Sequence, residues 1–111
     1  MSTTHECIQG SSFSYDFSCD QLSTFDADWG GTWAVVDKLE DKTVGDTATV
    51  FANGALALSG DNTKLELRIA PNETNVIPVG FYYLVVEINN AVIGFSQEVM
   101  QDEFEVKQQG I

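Results

Sequence analysis

Residues 80–89 read Gly80-Phe-Tyr-Tyr-Leu-Val-Val-Glu-Ile-Asn89, and this stretch decides the fold. It is dominated by aromatic and β-branched residues, which are enriched in β-strands. We predict that it forms the longest apolar strand and the centre of a sheet. Successive side chains of a strand point to opposite faces, so Tyr82 and Tyr83 diverge and only one of them belongs to the core.

The segments on either side of this stretch also have strand character. Residues 64–69 alternate charged residues with Leu65, Leu67 and Ile69, a pattern typical of a strand with one buried face and one wet face. On the carboxyl side we predict a turn at Asn89-Asn90 and then two strands.

Between these strands, Pro71 and Pro78 disfavour sheet pairing, and we expect a single helical turn at residues 72–75. The last predicted strand, residues 103–107, alternates charged and apolar side chains. It suits either an ordinary charged sheet edge or an edge that lies on a neighbouring protein.

The first half of the chain repeats the pattern. Phe13, Tyr15 and Phe17 alternate with polar residues, and Asn53-Gly54 is the favoured two-residue sequence for a type I′ hairpin turn. The predicted strands, in chain order, are residues 6–9, 13–17, 32–37, 47–52, 55–58, 64–69, 80–89, 91–100 and 103–107.

These strands follow one another at roughly 8–12 residues, and no segment shows helical periodicity, so the pattern predicts an all-β antiparallel sandwich or barrel. At 111 residues, with 43% hydrophobic residues, the chain is expected to form one domain, residues 1–111.

The charge is strongly acidic, with seventeen acidic and five basic residues and a net charge of −12. No Lys or Arg precedes Lys38. Nucleic acids and anionic membranes are therefore disfavoured as partners, because both need a basic patch. A basic protein partner or bound cations would be attracted, and the charge also favours solubility.

The sequence offers little for catalysis. His5 is the sole histidine and lies near a terminus that we expect to be mobile, so a serine or cysteine triad has no base. Cys7 and Cys19 could form a bridge across adjacent strands. The alternative, two free and buried thiols, is favoured because the start of the chain carries no signal-peptide pattern and synthesis is expected in the cytoplasm. We predict no enzyme activity and no cofactor or metal requirement.

Besides the possible sheet edge at residues 103–107, two features are candidate binding sites. An acidic cluster (Asp16, Asp20, Asp26, Asp28) offers oxygen ligands for Ca²⁺, although its spacing matches no EF-hand and a solvated loop explains it equally. Trp33 lies within a predicted strand and suits the core. Trp29 follows a polar stretch beside glycines and suits an exposed anchor for a protein or a sugar.

Several segments together resemble small virion proteins of tailed bacteriophages. They are Ile8-Gln9-Gly10 followed by Phe13, Leu65-Glu-Leu-Arg-Ile69, Glu73-Thr74, Pro78-Val-Gly-Phe-Tyr-Tyr83, and the closing Gln97-Glu-Val99 with Glu105-Val-Lys-Gln-Gln-Gly110. Similar layouts occur in short phage proteins and at the amino termini of baseplate upper proteins. Leu22-Ser-Thr24 matches a further family segment only in part.

The resemblance implies an immunoglobulin-like sandwich of about 8 strands that assembles into a phage particle, as a tail or baseplate adaptor or as a capsid cement protein. It implies other virion proteins as partners, a homo-oligomer or symmetric assembly, and no catalytic residues. We expect contacts at residues 25–29, with Phe25 and Trp29, and at the carboxyl end, with Gln108, Gln109 and Ile111. The alternative is a β-sandwich module that binds carbohydrate or Ca²⁺.

Overall fold

The computed structural model describes residues 4–18, 28–39, 48–60 and 62–108. These residues form eight strands and one short helix, which confirms the predicted all-β class. In chain order the elements are β1 (Thr4–Ile8), β2 (Phe13–Ser18), β3 (Trp29–Val36), β4 (Val50–Ala55), β5 (Ala57–Leu58), β6 (Lys64–Ile69), α1 (Pro71–Thr74), β7 (Gly80–Asn90) and β8 (Phe95–Lys107).

The strands form two sheets that pack face to face. The five-stranded sheet has the order β1-β8-β7-β3-β4, and the three-stranded sheet has the order β2-β6-β5. β7 is the central strand of the larger sheet, as its apolar sequence predicts. The described strand pairs are antiparallel except one, because β1 runs parallel to β8 and adds an edge strand beside it.

The core lies between the sheets. Leu65, Leu67 and Ile69 of β6 are fully buried, which confirms the alternation predicted for residues 64–69. From the opposite sheet, Leu84 and Val86 of β7 pack into the same cluster. Each such side chain contributes about 1.5–3 kcal/mol of hydrophobic stabilisation.

Two core residues identify the architecture further. Trp33, on β3, is 2% exposed and lies within the core cluster. Tyr82, near the start of β7, donates a 2.6 Å hydrogen bond from its hydroxyl to the carbonyl of Pro78, four residues upstream. A buried Trp on the third strand and a Tyr that closes the corner before a central strand are features of immunoglobulin domains. The molecule is an immunoglobulin-like β-sandwich.

The predicted hairpin at Asn53-Gly54 is wrong. β4 continues straight through both residues, where Asn53 pairs with Ala34 and Gly54 pairs with Trp33. A Cβ atom at Gly54 would lie 2.8 Å from the Trp33 ring, so the glycine makes room for the indole rather than for a turn. The chain then crosses to the other sheet, where β5 pairs with β6.

The turn and the two strands predicted from residue 89 onward are also wrong. The turn occupies residues 91–94 rather than Asn89-Asn90, and Gly94 supplies a positive φ of 67°. The two strands predicted after it are one continuous strand, β8. Its residues 103–107 are not a sheet edge, because β1 pairs with them.

His5, predicted to lie near a mobile terminus, belongs to β1 and is the register partner of Phe104 on β8. The predicted helical turn is confirmed as α1, and Thr74 anchors the loop after β1. The Thr74 hydroxyl accepts a hydrogen bond from the Gly10 N–H (3.1 Å) and donates one to the Ser11 carbonyl (2.7 Å). Within the described part of the chain, no helix is long and apolar enough to cross a bilayer.

Candidate functional site

The outer face of the five-stranded sheet, which points away from the three-stranded sheet, carries the strongest candidate site. Alternate residues of β7 point to this face, among them Phe81, Tyr83 and Val85, while their neighbours Tyr82 and Leu84 are buried. Phe81 is 77% exposed. An apolar stripe therefore runs along the centre of a surface that an antiparallel sheet ordinarily gives to polar residues.

Acidic side chains of β8 lie beside this stripe. Glu105 is the register partner of Phe81, and Glu103 is the partner of Tyr83. The Glu103 carboxylate accepts a 2.9 Å hydrogen bond from the Thr4 hydroxyl of β1. The outer face thus combines an apolar stripe from β7 with a row of carboxylates from β8.

A shallow groove of about 550 Å³ continues the stripe toward β4. Ala34, Val36 and Val85 contribute apolar side chains to its lining, together with Val50. Glu98 and Gln101 of β8 and Lys38 are among its polar residues. The groove can accept an apolar side chain of a partner beside polar groups that can orient it.

The turn between β7 and β8 exposes a second apolar feature. Val92 and Ile93, at its tip, are 72% and 66% exposed. The Asn90 side chain accepts a 3.0 Å hydrogen bond from the Val92 N–H, which fixes the start of the turn. Below it, the rings of Trp29 and Phe95 lie edge to face at 5.4 Å. Two apolar side chains are therefore held on a supported hairpin.

The predicted contact residues are only partly described. Trp29 is the first residue of β3 rather than a loop residue, and it is half-buried against the core and Phe95. Gln108 follows directly after β8. Phe25, Gln109 and Ile111 lie outside the described residues. The structure does not bring Trp29 and Gln108 together, because they lie at opposite ends of the five-stranded sheet. Trp29 pairs with Asn90, the last residue of β7. Gln108 comes directly after Lys107, which pairs with Ile8 at the other end.

The acidic cluster is likewise only partly described. Asp16 lies on β2 and forms a 2.7 Å ion pair with Arg68, which also binds Glu66 at 3.1 Å. Asp28 precedes β3 in the other sheet, and Asp20 and Asp26 lie outside the described residues. Among the residues that the structure describes, no group of three or more His, Cys, Asp or Glu side chains could hold a metal ion.

His5 has a partner that sequence reasoning missed. Its Nε2 lies 2.8 Å from the Asp102 carboxylate, and both side chains are largely shielded from solvent. The ring meets Tyr15 edge to face at 5.4 Å and Phe13 at 5.9 Å. Because Asp102 is on β8 and the aromatic rings are on β2, this contact joins the two sheets. No sequence signal indicates the pairing of His5 with Asp102. The two residues are 97 positions apart and become neighbours only because β1 pairs with β8.

Cys7 is a free and buried thiol, in agreement with its interpretation as a small hydrophobic residue. Burial raises its pKa above the ordinary value of 9.0, so the reactive thiolate is disfavoured. Cys19 lies outside the described residues. At the outer face, Lys107 forms a 2.9 Å ion pair with Glu6, and this hydrogen bond raises the pKa of Lys107.

The outer face itself was not predicted, although a signal for it exists. Residues 80–86 are apolar at both odd and even positions, which indicates a central strand, and the divergence of Tyr82 and Tyr83 predicts only that one of these two rings lies outside the core. In a two-layer sandwich one face of the central strand points away from the core, so apolar residues on both faces also indicate an apolar surface.

No protein-family model matches the chain, and no curated protein matches it. Solved structures do. A chicken TCR structure shares 11% identity at a TM-score of 0.56, with 96% of this chain and 53% of that chain covered, so this chain spans about half its length. The extracellular domain of the voltage-gated sodium channel beta4 subunit shares 11% identity at a TM-score of 0.46, with 96% and 92% covered. At such identity, the likeness to the TCR structure shows the immunoglobulin-like fold alone.

Proposed function

We propose that this protein is a non-enzymatic structural component of a tailed-bacteriophage particle that acts through protein–protein contacts. Either a tail or baseplate adaptor or a capsid cement protein fits the proposal. In both roles, weak contacts made by many symmetric copies would add up through multivalency. The assignment to a particle is supported by the sequence resemblance, and the mode of action is supported by the outer face.

The outer face is the observation that carries the contact role. A phenyl ring as exposed as that of Phe81 gains nothing from the core, and it lies in line with Tyr83 and Val85 rather than singly. Contiguous apolar side chains on a protein surface mark interaction sites, and aromatic residues are enriched at the centres of interfaces. The apolar tip of the β7–β8 turn offers a second contact.

The groove favours the rival function, a ligand-binding module for carbohydrate. Its polar side chains, Glu98, Gln101 and Lys38, beside an apolar floor are the kind of lining that a small polar ligand requires. A Ca²⁺ site has weaker support, because Asp16 is engaged by Arg68. Glycan-array screening and calorimetric Ca²⁺ titration of the purified protein test this rival directly.

The decisive experiment is quantitative mass spectrometry of phage particles banded twice in a density gradient, from a lysate in which the gene is expressed. We expect peptides of this chain to track the major capsid protein at a fixed ratio across the gradient and through a high-salt wash. An abundant cytoplasmic host protein serves as the carry-over control. A chain that sediments with that host protein instead of the particles would refute the virion assignment.

Light scattering of the purified protein, with and without reductant, complements this experiment. A stable ring or trimer would support a particle component with matching symmetry. A monomer that binds a glycan in the screen would favour the rival module.

A further inference from the structure

The two central strands of the outer face carry different chemistry in matching positions. On β7, Phe81 and Tyr83 are aromatic, and their register partners on β8, Glu105 and Glu103, are carboxylates. Directly opposed residues of an antiparallel pair lie about 4.5–5.5 Å apart. Each aromatic ring therefore has a carboxylate beside it on the same face.

The pairs repeat along the strands at a fixed distance. Outward-facing residues of one strand are two positions apart, which corresponds to about 6.8 Å. A partner that binds this face therefore contacts two parallel rows of side chains, an apolar row on β7 and an anionic row on β8. Farther along, Glu87 is the register partner of Glu98, so the anionic row widens across both strands.

The carboxylates of this surface outnumber its described cations. Lys107 pairs with Glu6 and also interacts electrostatically with Glu105. Lys38 lines the groove together with Glu98, and Glu87 and Glu103 add further negative charge. Lys64 and Arg68 lie on the three-stranded sheet, and Arg68 is engaged by Asp16 and Glu66. Carboxylates therefore dominate the potential of the outer face, which attracts a positively charged surface.

A second copy of the chain is a poor occupant. A two-fold interface brings the same patch of both protomers together. It would place Glu103 and Glu105 of one protomer among the same carboxylates of its partner, and such like-charge contacts are costly. The occupant that fits the charge is another protein with the opposite sign.

We infer that the outer face of β7 and β8 docks a basic, partly apolar polypeptide surface of another protein. Arginine suits the pairs best, because its planar guanidinium stacks on aromatic rings and binds carboxylates through two parallel hydrogen bonds. Partner side chains would lie over Phe81 and Tyr83 with their charged ends at Glu105 and Glu103. The inference rests on the proposed contact function and specifies the chemistry of its partner.

The test uses the full chain, labelled with ¹⁵N, and a twelve-residue capped peptide of alternating Arg and Leu. We expect amide shifts on β7 and β8 that saturate with peptide and weaken steeply as salt is added. A peptide of alternating Glu and Leu is the matched probe and should leave the spectrum unchanged. No shifts at millimolar Arg-Leu peptide, or shifts centred on the three-stranded sheet, would overturn the inference.

Two double variants with the same change in net charge locate the effect. Glu103→Gln/Glu105→Gln removes two charges from the outer face and should weaken peptide binding by about fivefold or more. Asp16→Asn/Glu66→Gln removes two charges from the opposite sheet and should weaken it by less than about twofold, because distant surface charges are screened. Equal losses in both variants would mean that net charge alone attracts the peptide, and the inference would fail.

The particle experiment separates this inference from the proposed function. If the wild-type chain bands with particles and the Glu103→Gln/Glu105→Gln variant does so equally well, the basic-partner inference is wrong and the virion assignment stands. If the peptide maps to β7 and β8 but the chain is absent from particles, the inference stands and the virion assignment is wrong. A dimer in light scattering that Phe81→Ala abolishes would identify a second copy as the occupant and overturn the inference.

Discussion

The two faces of β7 differ in what their apolar residues do. On the inner face, Tyr82, Leu84 and Val86 are buried against the second sheet. On the outer face, Phe81 and Val85 are similarly apolar, yet the described structure places no second layer over them. Burial explains the inner set, whereas no described part of the chain covers the outer set. A single strand thus separates residues that stabilise the fold from residues available for contact.

The largest expected effect is on the inner face. Leu84→Ala removes a fully buried side chain from the central strand, and we expect a loss of about 3 kcal/mol in the free energy of unfolding, within the 2–5 kcal/mol range for such truncations. Urea denaturation measures the loss. Val85→Ala is the matched control one residue away and should cost less than about 1 kcal/mol. Equal losses would erase the distinction between the faces.

The close contact of β4 with the core predicts the next effect. In Gly54→Ala the new Cβ lies 2.8 Å from the Trp33 ring, so either the indole or β4 must shift. We expect a loss of about 1–3 kcal/mol, as for other overpacked cores, measured by thermal unfolding. Gly60→Ala is the control, since no described residue apart from its chain neighbours has an atom within 4 Å of the added Cβ. A harmless Gly54→Ala would show that the indole is not held where β4 passes.

Gly54 also shows why the sequence predicted some elements and not others. Local patterns predicted β6 and β7 correctly, since their alternation and composition report burial directly. The Asn53-Gly54 pair carries a strong local turn signal, but contact with Trp33, twenty-one positions away, overrides it. The pairing of His5 with Asp102 arises in the same way, from residues that become neighbours only in the fold.

The resemblance segment Pro78-Val-Gly-Phe-Tyr-Tyr83 has a structural explanation of its own. Tyr82 bonds to the carbonyl of Pro78, and this corner belongs to the immunoglobulin-like fold in general. The segment is therefore stronger evidence for the immunoglobulin-like fold than for a role in a phage particle. The candidate site was harder to predict because an apolar outward residue looks, in sequence, like an apolar inward one.

The tyrosine corner gives a smaller inner-face effect. Tyr82→Phe keeps the ring in the core but removes the donor to the Pro78 carbonyl, and we expect a loss of about 1 kcal/mol in the free energy of unfolding. Denaturant titration compares it with Tyr83→Phe, whose half-buried ring is on the outer face. The Tyr83 variant should stay within about 0.5 kcal/mol of the wild type. A larger loss for Tyr83→Phe than for Tyr82→Phe would mean that the stabilising hydroxyl lies on the outer face, against this prediction.

The inner face also responds to alkaline pH. Burial raises the pKa of Cys7 above 9.0 and that of Tyr82 above 10.0, so the folded state retains protons that the unfolded state releases. The contribution is therefore complete below about pH 9 and declines as the pH rises through these values. Unfolding midpoints measured from pH 8 to pH 10.5 should fall less steeply in Cys7→Ala/Tyr82→Phe than in the wild type. If the unfolding midpoints of the variant and the wild type fell equally with pH, Cys7 and Tyr82 would not be the groups responsible.

The smallest expected effect on stability is the most informative one for function. Phe81→Ala removes a ring that is 77% exposed, and we expect the free energy of unfolding to change by no more than about 0.5 kcal/mol. A ring that packs against so little of the described chain is available for contact with a partner. The same variant should weaken binding of the Arg-Leu peptide severalfold, because aromatic residues dominate interface energies. If Phe81→Ala instead destabilised the fold by 2 kcal/mol or more, the outer stripe would be a structural feature like the inner one. The contrast between the two faces of β7 would then give no support to a docking surface.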